Sequence, residues 1–213
     1  MIYNETIAIE MAKILLEVKA VILKPDEPFT WASGWKSPIY CDNRVLLSFP
    51  EKRNFVKKQL AEMVNQMYPE AKALVGVATA GIAHAALAAD QLFLPMAYAR
   101  SKAKDHGTKS ILEGRVEAGT PVVVIEDLIS TGKSSLEIVL GLKEIGLSIQ
   151  GVAGIFSYDF NKANEAFKAE HISYYTLTDY NILLSTALEI NYVTKNQIDI
   201  LKEWRVSPDT WGK

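Results

Sequence analysis

The sequence predicts an α/β protein with a central, mainly parallel sheet flanked by helices. Three observations lead there. The run VVVI at 122–125 is apolar at every position, as expected of a strand covered on both faces. From residue 73 onward short apolar runs alternate with helical ones, the rhythm of strand–helix–strand crossovers in a parallel sheet. A 49% hydrophobic fraction over 213 residues is enough to bury one sizeable core.

The elements follow in order. Ile7, Met11, Ile14, Leu15 and Val18 recur at helical spacing and predict a helix over 5–20. Residues 24–44, KPDEPFTWASGWKSPIYCDNR, are broken by Pro25, Pro28, Gly34 and Pro38, while Phe29, Trp31, Ile39 and Tyr40 suggest short extended pieces. The irregular N-terminal third of the chain is expected to form a lid over the sheet. Pro50 opens a helix through about Met67. ALVGVA at 73–78 and PMAYA at 95–99 read as strands around the Ala-rich helix GIAHAALAADQL. A helix over 133–146 ends near Gly146, a strand spans 148–158, and helices are expected over 161–170, 179–190 and 194–204. Arg100 to Gly114 is polar and basic without a period, and long loops of this kind are commonly functional or mobile. No repeat or linker divides the chain, so one domain is expected over 1–213.

Composition narrows the function. With 23 basic and 25 acidic residues the formal charge is −2, which gives no support to non-specific nucleic-acid binding. One cysteine, Cys41, excludes an intrachain disulfide framework and a multi-cysteine metal site. The N-terminal stretch carries Glu5 and Glu10 and lacks the basic start and apolar centre of a secretion signal. No apolar run approaches the roughly 20 residues that span a bilayer. A cytoplasmic protein that binds neither membrane nor nucleic acid is expected.

The chemistry concentrates in VVVIEDLISTGKSS, 122–135. Its tail, Gly132-Lys133-Ser134, resembles the end of a P-loop, but that motif needs a glycine where Asp127 stands, and a carboxylate there opposes a phosphate. A dinucleotide-binding glycine pattern is absent from the stretch as well. As written, a buried strand ends in two acids, a Ser/Thr/Gly loop follows, and a helix starts. The loop amides, the Ser130 and Thr131 hydroxyls and the helix N-terminus can donate to a phosphate monoester. Glu126 and Asp127, just before the loop, can accept from sugar hydroxyls, help neutralise magnesium, or stabilise positive charge on a sugar ring. Together they make a sugar-phosphate site; an ordinary strand-turn-helix is the plainer reading.

This pattern resembles the phosphoribosyl-pyrophosphate motif of type I phosphoribosyltransferases. Three further segments resemble the orotate-specific members: FTWASGWKSPIYCDNR at 29–44 their N-terminal hood, GVATAGIAHAALAAD at 76–90 their pyrophosphate loop, and RSKAKDHGTK at 100–109 their mobile catalytic loop. Order and spacing agree from about residue 25 to 160, most closely with the short bacterial form. The resemblance implies a hood over about 1–45, a catalytic loop over about 100–114, and transfer of the 5-phosphoribosyl group from phosphoribosyl pyrophosphate to orotate in pyrimidine biosynthesis. It also implies magnesium, held mainly through substrate, and a homodimer with shared active sites.

By position, the resemblance gives catalytic roles to Lys104, His106 and Asp127. Arg100, Lys104 and His106 are expected to meet the pyrophosphate donor from across the dimer. Glu126, Asp127, Leu128, Ile129, Ser130, Thr131, Gly132, Lys133 and Ser134 hold the phosphoribosyl part, with Ser130 also near orotate. Thr79-Ala80-Gly81 offers backbone near pyrophosphate or simply makes a tight turn. Lys36 and Tyr40 are hood candidates, and Trp31 and Trp35 either pack the hood or touch substrate. The basic set fits the reaction, because breaking the C1'–O bond builds an oxocarbenium-like sugar and a highly charged leaving group. A solvated basic loop is the plainer alternative.

The enteric form departs in three places, where this chain has Ser101, Ala32 and Phe160. The group that meets orotate's carboxylate is therefore open, with hood amides and Arg44 as candidates. His84 is expected to pack or cap, and His171 and Cys41 to carry no chemistry. A purine or uracil phosphoribosyltransferase, or a regulatory protein that senses the donor without chemistry, are the competing readings. The hood and the K-D-H-G element argue against the first, and the absence of a basic nucleic-acid-binding element argues against the second. No fused decarboxylase is expected.

Overall fold

The computed structural model describes residues 1–30, 34, 36–100 and 111–212. In chain order the elements are α1 (Glu5–Glu17), β1 (Val21–Leu23), β2 (Phe29–Thr30), β3 (Lys36–Ser37), β4 (Ile39–Cys41), a 3-10 helix (Asn43–Ser48), α2 (Pro50–Met67), β5 (Ala73–Val77), α3 (Gly81–Leu92), β6 (Met96–Ala99), β7 (Leu112–Glu113), β8 (Pro121–Ile129), α4 (Lys133–Glu144), β9 (Ser148–Ser157), α5 (Asn161–Ala169), β10 (Tyr174–Asp179), α6 (Tyr180–Glu189) and α7 (Lys195–Val206).

The main sheet runs β10-β9-β8-β5-β6-β7, parallel throughout except for the short β6–β7 pair at one edge. Its centre is apolar on both faces, as VVVI predicts. Val123 and Ile125 enter one core with α1, α2, α3, α6 and α7, while Val122 and Val124 enter the other with α4 and α5. The apolar run marks only part of its strand: β8 continues through both acids to Ile129. β10 is absent from the expected elements. Its sequence, YYTLTD, hides a buried strand because Thr176 and Thr178 are fully buried polar residues.

The hood is two small antiparallel ribbons. β1 pairs with β4, and β2 with β3. Proline-rich spacing keeps these strands to two or three residues each. α1 instead packs beside β10 and α6, and Met1 and Ile2 join β10 at Thr176.

Topology positions the site. Chain leaving β5 passes through α3 on one face, and chain leaving β8 passes through α4 on the other, although β5 and β8 are neighbours. A crevice therefore opens beyond their carboxyl ends, the switch point where open α/β sheets bind ligands.

Candidate active site

The phosphate loop sits where β8 meets α4. Gly132 is the N-cap of α4 with φ +76°, and a Cβ there would lie 2.9 Å from Phe167 Cε2. Both facts call for glycine. No side chain caps α4, so its first amides are left to a ligand or solvent. Thr131 and Ser134 are exposed beside them and Ser130 is half-buried. Lys133 Nζ lies 3.9 Å from Glu137 Oε1 along the exposed helix face, unlike a P-loop lysine turned into its phosphates. The α3 N-terminus faces the same crevice and also lacks a side-chain cap. Thr79-Ala80-Gly81 forms its entry after a cis Ala78–Thr79 peptide. A Cβ on Gly81 would meet the Ile125 carbonyl oxygen at 2.6 Å, so glycine here lets α3 seat against β8.

Strand alternation separates the two acids. Glu126 turns toward α4, where Ser135 Oγ donates to its Oε2 at 2.9 Å and the Asp127 amide donates to its Oε1 at 3.1 Å. It is 5% exposed, and burial, with Asp127's charge adding to it, pushes its pKa well above the usual carboxylate range. Asp127 turns toward the hood, where desolvation and then the Asp127 charge raise the Cys41 thiol. Burial raises Asp127 too, and Asn43 Nδ2 donates to its backbone oxygen at 2.7 Å, tying the hood's 3-10 helix to the strand.

A cavity of about 590 Å³ lies between the hood and β8. Phe29, Thr30, Tyr40 and Cys41 line it from the hood, Leu128 and Ser130 from the strand, and Tyr158 from the end of β9. It is a mostly apolar slot with a few polar groups, the usual form of a small-molecule site. Lys36 Nζ donates to Thr30 Oγ1 at 2.7 Å, which sets an ammonium at the rim. Tyr40 tilts against Phe29 with centroids 5.7 Å apart. Arg44 forms a two-pronged pair with Asp42 at 2.7 and 2.8 Å and does not line the cavity.

The remaining candidates divide. Arg100 follows β6, 3.9 Å from Glu113 and over the Tyr98 ring. Lys104, His106, Ser101, Lys102, Trp31, Ala32 and Trp35 lie outside the described residues. Phe160 stacks on Tyr158, centroids 5.4 Å apart at 14°. His84 is packed as expected, 1% exposed, and burial lowers its pKa to about 4. Cys41 is a half-buried thiol raised by desolvation, and its Sγ donates to Asn43 Oδ1 at 3.7 Å. Tyr158 and the pocket-lining position of Cys41 went unseen in the sequence. The aromatic at 158 comes from a strand end remote from every motif, and only its place beside β8 in the sheet could have signalled it.

A parallel sheet with a phosphate loop, two acids and a hooded slot at its switch point defines a type I phosphoribosyltransferase. The comparisons agree. The chain is 52% identical over 204 residues to an orotate phosphoribosyltransferase of Listeria monocytogenes, covering 96% of this chain and 98% of the relative. It is 53% identical over 201 residues to that of Bacillus pumilus, covering 94% and 95%. The crystal structure of orotate phosphoribosyltransferase from Aeropyrum pernix superposes with a TM-score of 0.75 at 27% identity, over 86% of this chain and 99% of that one. No protein-family model matches. The chain belongs to the orotate phosphoribosyltransferase family.

Proposed function

We propose that the chain transfers the 5-phosphoribosyl group of phosphoribosyl pyrophosphate to orotate, giving orotidine 5'-phosphate and pyrophosphate in pyrimidine nucleotide synthesis. One observation carries the assignment of sites: Ser130 belongs both to the phosphate loop and to the wall of the hooded slot. A ribose whose 5-phosphate rests on the 130–134 amides therefore presents C1' toward that slot, where a flat base fits.

The roles follow from charge. As the C1'–O bond lengthens, the sugar gains positive charge and the Asp127 carboxylate stabilises it. The base nitrogen then closes on C1' as pyrophosphate leaves. Arg100, Lys104 and His106 meet the growing negative charge on that group. For Arg100 this means exchanging Glu113 and Tyr98 for pyrophosphate. Lys36 serves orotate's carboxylate from the rim.

Magnesium suits this site as a partner of the substrate. Among the described residues no three His, Cys, Asp or Glu side chains form a cage, and Mg²⁺ commonly binds through one or two carboxylates plus substrate phosphates. Asp127 is the carboxylate placed to assist, and the ion's contribution when bound is to neutralise pyrophosphate. No helix among the described residues is long and apolar enough to cross a membrane. A cytoplasmic location is part of this proposal.

The test is orotate consumption with phosphoribosyl pyrophosphate and magnesium, against uracil, hypoxanthine and guanine as acceptors. Orotate is expected to react fastest, and faster turnover of another base would overturn the assignment. We also place the catalytic loop across a homodimer. Mixing Lys104→Ala with Asp127→Asn should restore part of the activity, because one hybrid site is intact. Subunit exchange without recovery would count against a shared site.

A further inference from the structure

Tyr158 is 3% exposed yet lines the hooded slot. Among the described residues its hydroxyl meets no protein partner, and its oxygen is not one of the polar atoms shut off from solvent, so it opens onto the slot. A donor that meets no protein acceptor at a cavity wall is left for water or a ligand. The ring itself is held on several sides. Phe160 stacks on it, while Phe156 and Trp204 meet it edge-on with centroids at 5.3 and 5.7 Å. The backbone behind it is held as well. Arg205, near the end of α7, donates from Nε to the Tyr158 carbonyl oxygen at 3.1 Å and from Nη2 to Asp159 Oδ2 at 2.9 Å. Asp159 has φ +51°, a left-handed conformation that Arg205 and the Asn164 amide hold in place. Two aromatic layers and an arginine clamp thus fix one unpartnered donor at a cavity wall.

We infer that the Tyr158 hydroxyl donates a hydrogen bond to a carbonyl or carboxylate oxygen of the pyrimidine bound in this slot, and so is a specificity-determining residue. The inference rests on the transfer reaction proposed above. The phenol is suited to donate, since burial drives its pKa far up and the Cys41 thiol beside it adds to the effect. A slot built to hydrogen-bond one substrate rejects an analogue lacking that oxygen, because the donor is then left buried and unpaired.

Tyr158→Phe removes the oxygen and keeps the ring. The KM for orotate is expected to rise about tenfold, the worth of one neutral hydrogen bond. The KM for phosphoribosyl pyrophosphate should stay unchanged. The Tm of the substrate-free protein should hold, because the ring packing is kept and the hydroxyl opens onto the slot. An unchanged orotate KM in an active variant overturns the inference. So does an equal rise in both KM values with a lower Tm, the signature of a packing role. Wild-type enzyme is assayed alongside, and its failure to use orotate would overturn the transfer reaction itself and this inference with it.

Discussion

Asp127→Asn is expected to lower kcat/KM by about 10³-fold with little change in fold. The magnitude is that of removing one preorganised electrostatic group from a transition state that develops charge. Asp127 turns toward the hood in a partly buried setting, where a carboxylate is screened less than in water. Asparagine keeps the shape and leaves the backbone oxygen free to accept from Asn43 as before. Relief from the nearby Asp42 and Glu126 charges should leave the Tm unchanged or raised. Steady-state kinetics should show the loss mainly in kcat, because the interaction strengthens as the sugar gains charge. A loss below about fivefold would remove Asp127 from the chemistry, since it falls far short of the transition-state contribution.

Glu126→Gln is expected to separate stability from activity. The carboxyl is buried against Ser135 and its folded pKa is raised above the ordinary 4.5. A raised carboxyl stabilises the fold fully below the unfolded pKa, because both states are then protonated. As pH rises past 4.5 the unfolded chain releases its proton first, and stability is lost until the folded pKa is passed. Glutamine cannot ionise, so the variant should melt higher than wild type near pH 8, with the difference vanishing toward pH 4. Activity moves the other way. Above the folded pKa, where Glu126 is a carboxylate that accepts from a ribose hydroxyl, losing that charged bond costs about 2 kcal/mol, or about 30-fold in kcat/KM. Thermal melts at several pH values and kinetics above the folded pKa test both halves. A lower Tm at pH 8 would mean the carboxylate is charged and well paired in the fold.

The contrast between these acids shows how far the sequence reaches. That Glu126 and Asp127 precede a phosphate loop is local information, written in consecutive residues. Their divergence follows from period-two alternation once β8 is known to run through them. The apolar run hides this, because it stops at Ile125. Gly132 and Gly81 were legible as loop and turn positions, and the structure adds the Phe167 ring and the Ile125 carbonyl that exclude a side chain. β10 was illegible because its buried positions include two threonines, which break the apolar signal. Tyr158, Phe160 and Arg205 meet only through the ends of β9 and α7, a juxtaposition that no local pattern encodes. Phe160 stood out as a departure from the enteric arginine, but its partner, Tyr158, emerges only in three dimensions.

The central claim is that one site joins a ribose 5-phosphate on the 130–134 loop to orotate in the hooded slot. Following both products with wild-type enzyme tests it most directly. Orotidine 5'-phosphate and pyrophosphate should appear in equal amounts, only when orotate, phosphoribosyl pyrophosphate and magnesium are all present, and Asp127→Asn should slow both alike. Pyrophosphate released without the nucleotide, or a nucleotide formed from another base in preference to orotate, would contradict it.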